Sequence, residues 1–466
     1  MNAIKEDNME MENELYFNHL ESEYDDSEDD SFDIDAFVQK INTFNSAVKE
    51  ENCILTLKSV EDLIEQVAND QDSGSDPDLL DYFDYSIFYL SCIKCLYINY
   101  DDLILQVIKM LGLLAKISTG IGDSLYETKA LLAIFEFVSN RPLSPQLISQ
   151  ILSFIYNVSL TSYQSRILMA QKGVFNFFSD VLRLQLDCKV IKDDLECIRA
   201  FFTHESFADI SSPQFDQLMI ALKECLNNIF SNQFQIEINE SEKNEICLFI
   251  VNIFNIYVGA VIYPHKNLNS MCSHFLELQI PISLYTILEN TIEHELASLI
   301  VSNINQLILY GKDDLVSDLI SKMSVNIFAN FCDFEDLKIS EESLNIIECL
   351  IRNKPDGILI LMQINFYNQM IEVIDNTSFK IQSCIISIIL VSIFNATSSE
   401  IIGAFVNEKI IYYLLEYLDI TKFKNYQLIP STLLRIKELI PPNESISIDI
   451  ENALQNSYPL NILNGL

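Results

Sequence analysis

The chain has 466 residues, enough to bury a large core, and carries 29 Lys and Arg against 67 Asp and Glu, a formal net charge of −38. A field of that sign repels nucleic acid and anionic lipid and draws in basic partners. Ten glycines are few for this length, and alternating apolar–polar runs with paired turn signals are scarce, so the composition excludes an ordinary β-rich domain.

Residues 1–35 contain fourteen Asp or Glu and one Lys, a local charge of −13, which leaves −25 for the remaining chain. Residues 1–33 read as a disordered acidic arm, because their apolar content is too low to offset chain entropy. They show no apolar core of a signal peptide. Ser22 and Ser27, each followed by acidic residues, fit an acidophilic kinase pattern. Helical periodicity begins at Ile34, where Ile34, Phe37, Ile41 and Phe44 share one face, and a second apolar pattern runs from Leu55 to Val67. Gln71 to Pro77 is a break. Ile87–Tyr97 and Leu103–Ile117 follow as two helices.

From there the chain repeats. The long apolar helices end near Ile117, Asn157, Phe202, Tyr257, Ile308, Arg352, Asn395 and Leu439, with gaps of 40, 45, 55, 51, 44, 43 and 44 residues. The clearest pair starts at Met362 and Val406, an offset of 44, and aligns Phe366 with Ile410, Met370 with Leu414, Glu372 with Glu416 and Asp375 with Asp419. A helical unit of about 40–47 residues is the signature of an armadillo or HEAT array. The fold expected is an all-α, right-handed α-solenoid of about eight or nine units over 34–440, with a short tail at 441–466. The wide middle gaps coincide with polar insertions such as Ser231–Asn244. Ile246–Tyr263 has eighteen residues without a charge, which just reaches the length of a membrane span. Asn252, Asn255 and Gly259 within it favour a buried solenoid helix.

Motifs for chemistry are missing. Cys92-Ile-Lys-Cys95 lies inside an apolar helical run, not at the strand-to-helix junction that activates a redox pair, so packing is its expected role. Most of the eleven cysteines stand singly in apolar helices, as expected in a reducing compartment, cytoplasmic or nuclear. His294 lacks the second His of a zincin helix, and no phosphate loop, nucleophile elbow or dinucleotide fingerprint occurs. The expectation is no catalytic residue, no metal, no cofactor and no enzyme activity.

Gln164 to Leu182 carries Arg166, an apolar pair and Gly173 before a long second helix. It follows Ile155-Tyr-Asn-Val158, and variants of that apolar-x-Asn-apolar pattern recur at Leu226–Ile229, Val301–Ile304 and Ile393–Ala396. Gly173 suits the tight bend between first and second helix. In these features the chain resembles the armadillo proteins of the importin-α (karyopherin-α) family. The resemblance implies a concave groove whose Asn ladder binds the backbone of an extended, basic cargo peptide. By position the rungs are Asn157, Asn228, Asn303 and Asn395. The family's Trp positions fall on Ser153, Glu224, Leu299 and Val391, and this chain has no Trp. The acidic arm also stands where the family has a basic importin-β-binding arm, so that carrier is not an expected partner. The expected function is a protein-binding scaffold, with nuclear-import cargo binding as its narrower form. The alternatives are a structural arm of a larger complex or an armadillo-type regulator of a chaperone or small GTPase. No direct nucleic-acid or membrane partner is expected.

Overall fold

The computed structural model describes residues 33–457, apart from 70–78, 99, 204–213, 232, 235, 260–267, 292, 333–335, 406–407, 418–422 and 441–444. The expected disorder of the acidic arm, its two serines, and the break at Gln71–Pro77 fall outside the described residues. What is described is helical, with no strand among the described residues.

Helices fall into units of two or three, each ending in a long third helix. The third helices are α2 (Cys53–Asn69), α4 (Asp101–Ile117), α7 (Pro145–Thr161), α10 (Cys188–Thr203), α12 (Glu240–Tyr257), α15 (His294–Tyr310), α18 (Leu337–Asn353), α21 (Phe379–Asn395) and α24 (Ile429–Lys437). Each packs on the next along the chain, so they form one continuous layer. The remaining helices form the other face. These are α1 (Ile34–Lys49), α3 (Tyr85–Leu96), α5 (Gly120–Glu127), α6 (Ala130–Ser139), α8 (Tyr163–Gln171), α9 (Val174–Leu184), α11 (Gln214–Phe230), α13 (Leu268–Glu277), α14 (Ile280–Leu288), α16 (Asp313–Lys322), α17 (Val325–Ala329), α19 (Gly357–Gln363), α20 (Phe366–Val373), α22 (Ser399–Gly403) and α23 (Glu408–Tyr417). One core runs the length of the array, and nearest-neighbour contacts carry it.

Local chemistry sets the boundaries. Ser144 caps α7 ahead of Pro145 at its first position, and Ser378 caps α21. Asn239 and Glu242 form a reciprocal capping box that starts α12. That box corrects the expected Ser231–Asn244 insertion: the charged stretch from Glu240 is already helical. The bend between first and second helix needs a left-handed residue. Gly173 supplies it at φ 102°, as expected of a glycine there. Lys129, Gln279 and Asn365 adopt φ of 60°, 55° and 60° at the same junction of other units, 44 residues before Gly173 in the case of Lys129.

The aligned pair behaves as one unit used twice. Phe366 and Ile410 are buried at equivalent places on α20 and α23, as are Met370 and Leu414. Helix α25 (Ser445–Ser457) packs on α24 and buries Ile450 and Leu454, so packed structure continues past residue 440. The charge-free stretch from Ile246 runs along α12 as far as Tyr257, with most of its apolar side chains in the core, and its residues 260–263 fall outside the described residues. No single described helix is long and apolar enough to cross a membrane.

Candidate binding groove

The outward stripe of the third-helix layer is the concave face of an armadillo-type solenoid, and its side chains follow from helical phase. On α7 the apolar residues Leu147, Ile148, Ile151, Leu152, Phe154 and Ile155 are buried, so Ser149, Ser153, Tyr156 and Leu160 are left on the opposite stripe.

The expected Asn ladder is not one row. Asn157, Asn303 and Asn395 are the thirteenth, tenth and last residues of α7, α15 and α21, respectively. Asn157 is only 9% exposed, and its amide donates to the Gly112 carbonyl of α4 at 2.9 Å. The two helices run close there: a Cβ on Gly112 would sit 3.4 Å from the Phe154 backbone of α7, at van der Waals contact. Asn395 donates to the Ile351 carbonyl of α18 at 3.3 Å. Asn303 is 0% exposed, and neither of its side-chain polar atoms has a hydrogen-bond partner. Asn228 is not on a third helix at all, since α11 packs against the second helix α9 and against α12. Three of these amides therefore lie within or between helices, and the fourth is on another layer. Asn255, expected on a buried solenoid helix, behaves like Asn157: its amide donates to the Leu299 carbonyl of α15 at 2.9 Å. Amides of this kind stitch neighbouring third helices together.

The groove surface instead carries carboxylates joined to hydroxyls across successive third helices. Ser149 of α7 donates to Asp193 of α10 at 3.2 Å, beside a cavity of about 260 Å³ that Ser153, Tyr156 and Glu196 also line. Ser302 of α15 donates to Glu342 of α18 at 2.9 Å, while the second Glu342 oxygen is buried without a hydrogen-bond partner. Burial pushes the pKa of both acids up, and one serine hydroxyl each offsets this only in part. Both are thus short of donors. Cross-helix ion pairs complete the ladder, Lys192 with Glu245 and Lys380 with Glu341.

Glu348 is the contrasting case. Its side chain is 4% exposed, and burial alone raises its pKa, yet the net direction is down because Lys424, Arg352, Asn425 and Ser387 all favour the charged form. Arg352 donates at 2.9 Å, Lys424 at 3.2 Å, Asn425 at 3.1 Å and Ser387 at 2.9 Å. The adjoining cavity, about 230 Å³, has Phe379 and Phe423 in its wall. Phe379 stacks on Tyr417 with ring planes 11° apart.

The positions matched to the family's Trp ladder do not form an aromatic row. Ser153 is exposed, but Val391 is buried and Glu224 of α11 pairs with Arg183. Chemistry of other kinds finds no support among the described residues. No group of three or more metal-ligating side chains occurs there. All eleven cysteines are free, and burial pushes the Cys95 thiol up to about 12 and the Cys92 thiol well above its ordinary value, opposite to what a redox pair needs.

No protein-family model matches the chain, and no curated protein matches it. Solved structures do resemble it. An engineered protein from a structural genomics effort aligns with a TM-score of 0.54 at 10% identity, covering 90% of this chain and 98% of the other. A chain solved in work on a conserved phosphorylation switch controlling the interaction between cadherin and β-catenin aligns at 0.50 and 11% identity, covering 93% and 94%. A designed armadillo repeat protein aligns at 0.39 and 16% identity over 56% of this chain. At 10% and 11% identity the first two likenesses concern the fold alone, which is that of an armadillo-like α-solenoid.

Proposed function

We propose that this chain is a non-enzymatic protein-binding scaffold whose third-helix face holds an extended segment rich in cationic and amide donors. The observation that carries this is the pair Asp193 and Glu342. Each is a half-buried carboxylate on the groove face, with one serine hydroxyl as its side-chain hydrogen-bond donor and no salt bridge. A partner's ammonium, guanidinium or backbone amide at the groove surface adds the charge-assisted partner that a single serine hydroxyl does not provide. The chain's charge of −38 steers such a partner in. Import cargo binding of the importin-α type is the narrower form of this proposal. It would grip lysine stems without the Trp ladder, through carboxylates and the polar stripe. Free thiols throughout support a reducing compartment, cytoplasmic or nuclear.

The test is fluorescence anisotropy with an extended lysine-rich peptide. The Asp193→Asn, Glu342→Gln double variant is expected to bind about tenfold more weakly, from two contacts of roughly 0.7 kcal/mol each. Wild-type affinity is expected to fall with added salt. Equal affinity for variant and wild type sinks the proposal.

A second reading, a rigid arm of a larger assembly, draws on α3. Its Ile87 and Leu90 are 52% and 54% exposed, and Tyr97 just past its end is 65% exposed. Ile87→Glu with Leu90→Glu is expected to abolish assembly while leaving peptide binding intact if both readings hold.

A further inference from the structure

We infer that the chain carries its own ligand for the last cell of this groove: the Phe423–Asn425 segment occupies a cation-accepting pocket built on Glu348, and a partner's lysine or arginine must displace Lys424 to enter it. The inference rests on the groove reading above and specifies how one end of that groove is regulated.

The site is formed by α18 and α21, which supply Glu348 at its base and Phe379 in its wall, and Phe423 and Lys424 close its remaining side. A carboxylate under an aromatic wall suits a lysine, whose stem packs on the ring while its ammonium meets the charge. The segment arrives from a point 76 residues further along the chain, where Lys424 Nζ reaches Glu348 at 3.2 Å. Asn425 does what a bound peptide's amide would do. It donates to Glu348 at 3.1 Å and to Ser387, and it accepts from Arg352 at 3.0 Å. Phe423 packs edge-on against Tyr417 at 4.9 Å.

The two anchors differ in strength. Asn425 is buried, whereas the Lys424 side chain is 64% exposed. An exposed ion pair contributes little and exchanges readily with a competing cation. Arg352 stays on Glu348 in either case, from within α18, so the carboxylate is not left bare when Lys424 departs. The built-in cation thus acts as a tethered competitor, and it lowers apparent affinity by the fraction of time it holds the pocket.

The experiment uses the full chain and a fluorescent extended peptide carrying four lysines, read by anisotropy at low salt. Lys424→Ala removes the competitor and is expected to tighten binding by about two- to sixfold, the gain from freeing a pocket that a weak exposed pair holds part of the time. Glu348→Gln removes the pocket's charge and is expected to weaken binding and to cancel the effect of Lys424→Ala in the double variant. Circular dichroism melts confirm that each variant is folded. Should wild type bind through Asp193 and Glu342 while Lys424→Ala changes nothing or weakens binding, the tethered ligand is refuted and the groove reading stands. Absence of peptide binding in wild type and every variant overturns both.

Discussion

Asp194 offers the sharpest test of the packing. It lies on α10, 0% exposed, and neither carboxylate oxygen has a hydrogen-bond partner. Burial pushes its pKa well above the ordinary value, and the neighbouring Asp193 charge adds to the push. The sign follows directly. The folded state holds the proton more tightly than the unfolded chain, whose Asp titrates near about 3.9. Stability is therefore full below that value and is lost as pH rises through the folded-state pKa. Every pH unit by which the folded value exceeds the unfolded one is worth about 1.4 kcal/mol. Asp194→Asn removes the charge without changing the shape. Relief of a buried unpartnered group is worth on the order of 1–3 kcal/mol, and the low end applies here because the amide still lacks partners. Urea unfolding of wild type and variant at pH 5 and pH 8 measures this as a difference, which cancels the repulsion among the other acidic groups. The variant should be more stable by about 1 kcal/mol at pH 8, with the gap closing toward pH 5. A gap independent of pH, or a variant less stable at pH 8, refutes the reasoning about Asp194.

Other substitutions probe the stitching of the layers. Asn157→Ala loses its bond to the Gly112 carbonyl and leaves that acceptor buried, so a cost of about 1–2 kcal/mol in thermal unfolding is expected, with peptide affinity unchanged. Arg435 donates to the carbonyls of Phe394 and Ala396, both at 2.7 Å, and so caps the end of α21. Arg435→Ala is expected to cost about 1.5–3 kcal/mol, and Arg435→Lys nearly as much, because an ammonium lacks the fork. Gly311→Ala places a Cβ 2.6 Å from the Leu307 carbonyl and 2.8 Å from a Val316 methyl. It should lower the melting temperature and raise hydrogen exchange in α15 and α16 before the rest of the array. Glu348→Ala strands Arg352 and Lys424 and is expected to destabilise, whereas Glu348→Gln keeps one oxygen that accepts from Arg352 and Asn425 and is milder.

The architecture was legible because it is written in spacing. Seven of the eight expected third-helix ends fall on or within two residues of the ends of α4, α10, α12, α15, α18, α21 and α24, and Asn157 falls four residues short of the end of α7, since each apolar helix must find its neighbour one unit away. The Asn positions were misread because an apolar-x-Asn-apolar pattern does not encode which stripe the Asn occupies. Asn303 is flanked three and four residues away by Ile300 and Leu307, both buried, a phase that already places it inward. Asn228 shares the pattern, but the bounds of α11 and its unit were blurred by the wide gap before α12. The carboxylates of the groove were available to the same phase argument. Lys338, Glu341, Glu342, Asn345, Glu348 and Arg352 recur at three- and four-residue steps along α18, opposite Ile339, Leu344, Ile347 and Ile351. What no pattern could show is the meeting of Glu348 with Lys424 and Asn425, which depends on how a linker crosses the face of two repeats.

The account stands or falls on which face takes the partner. Hydrogen exchange of the full chain with and without the extended lysine-rich peptide measures this directly. The groove carboxylates predict slowed exchange in the stretches around Ser149, Asp193, Ser302 and Glu342 on α7, α10, α15 and α18, with α3 and α6 unchanged. Protection confined to α3, α6 and the other helices of the opposite face would contradict it.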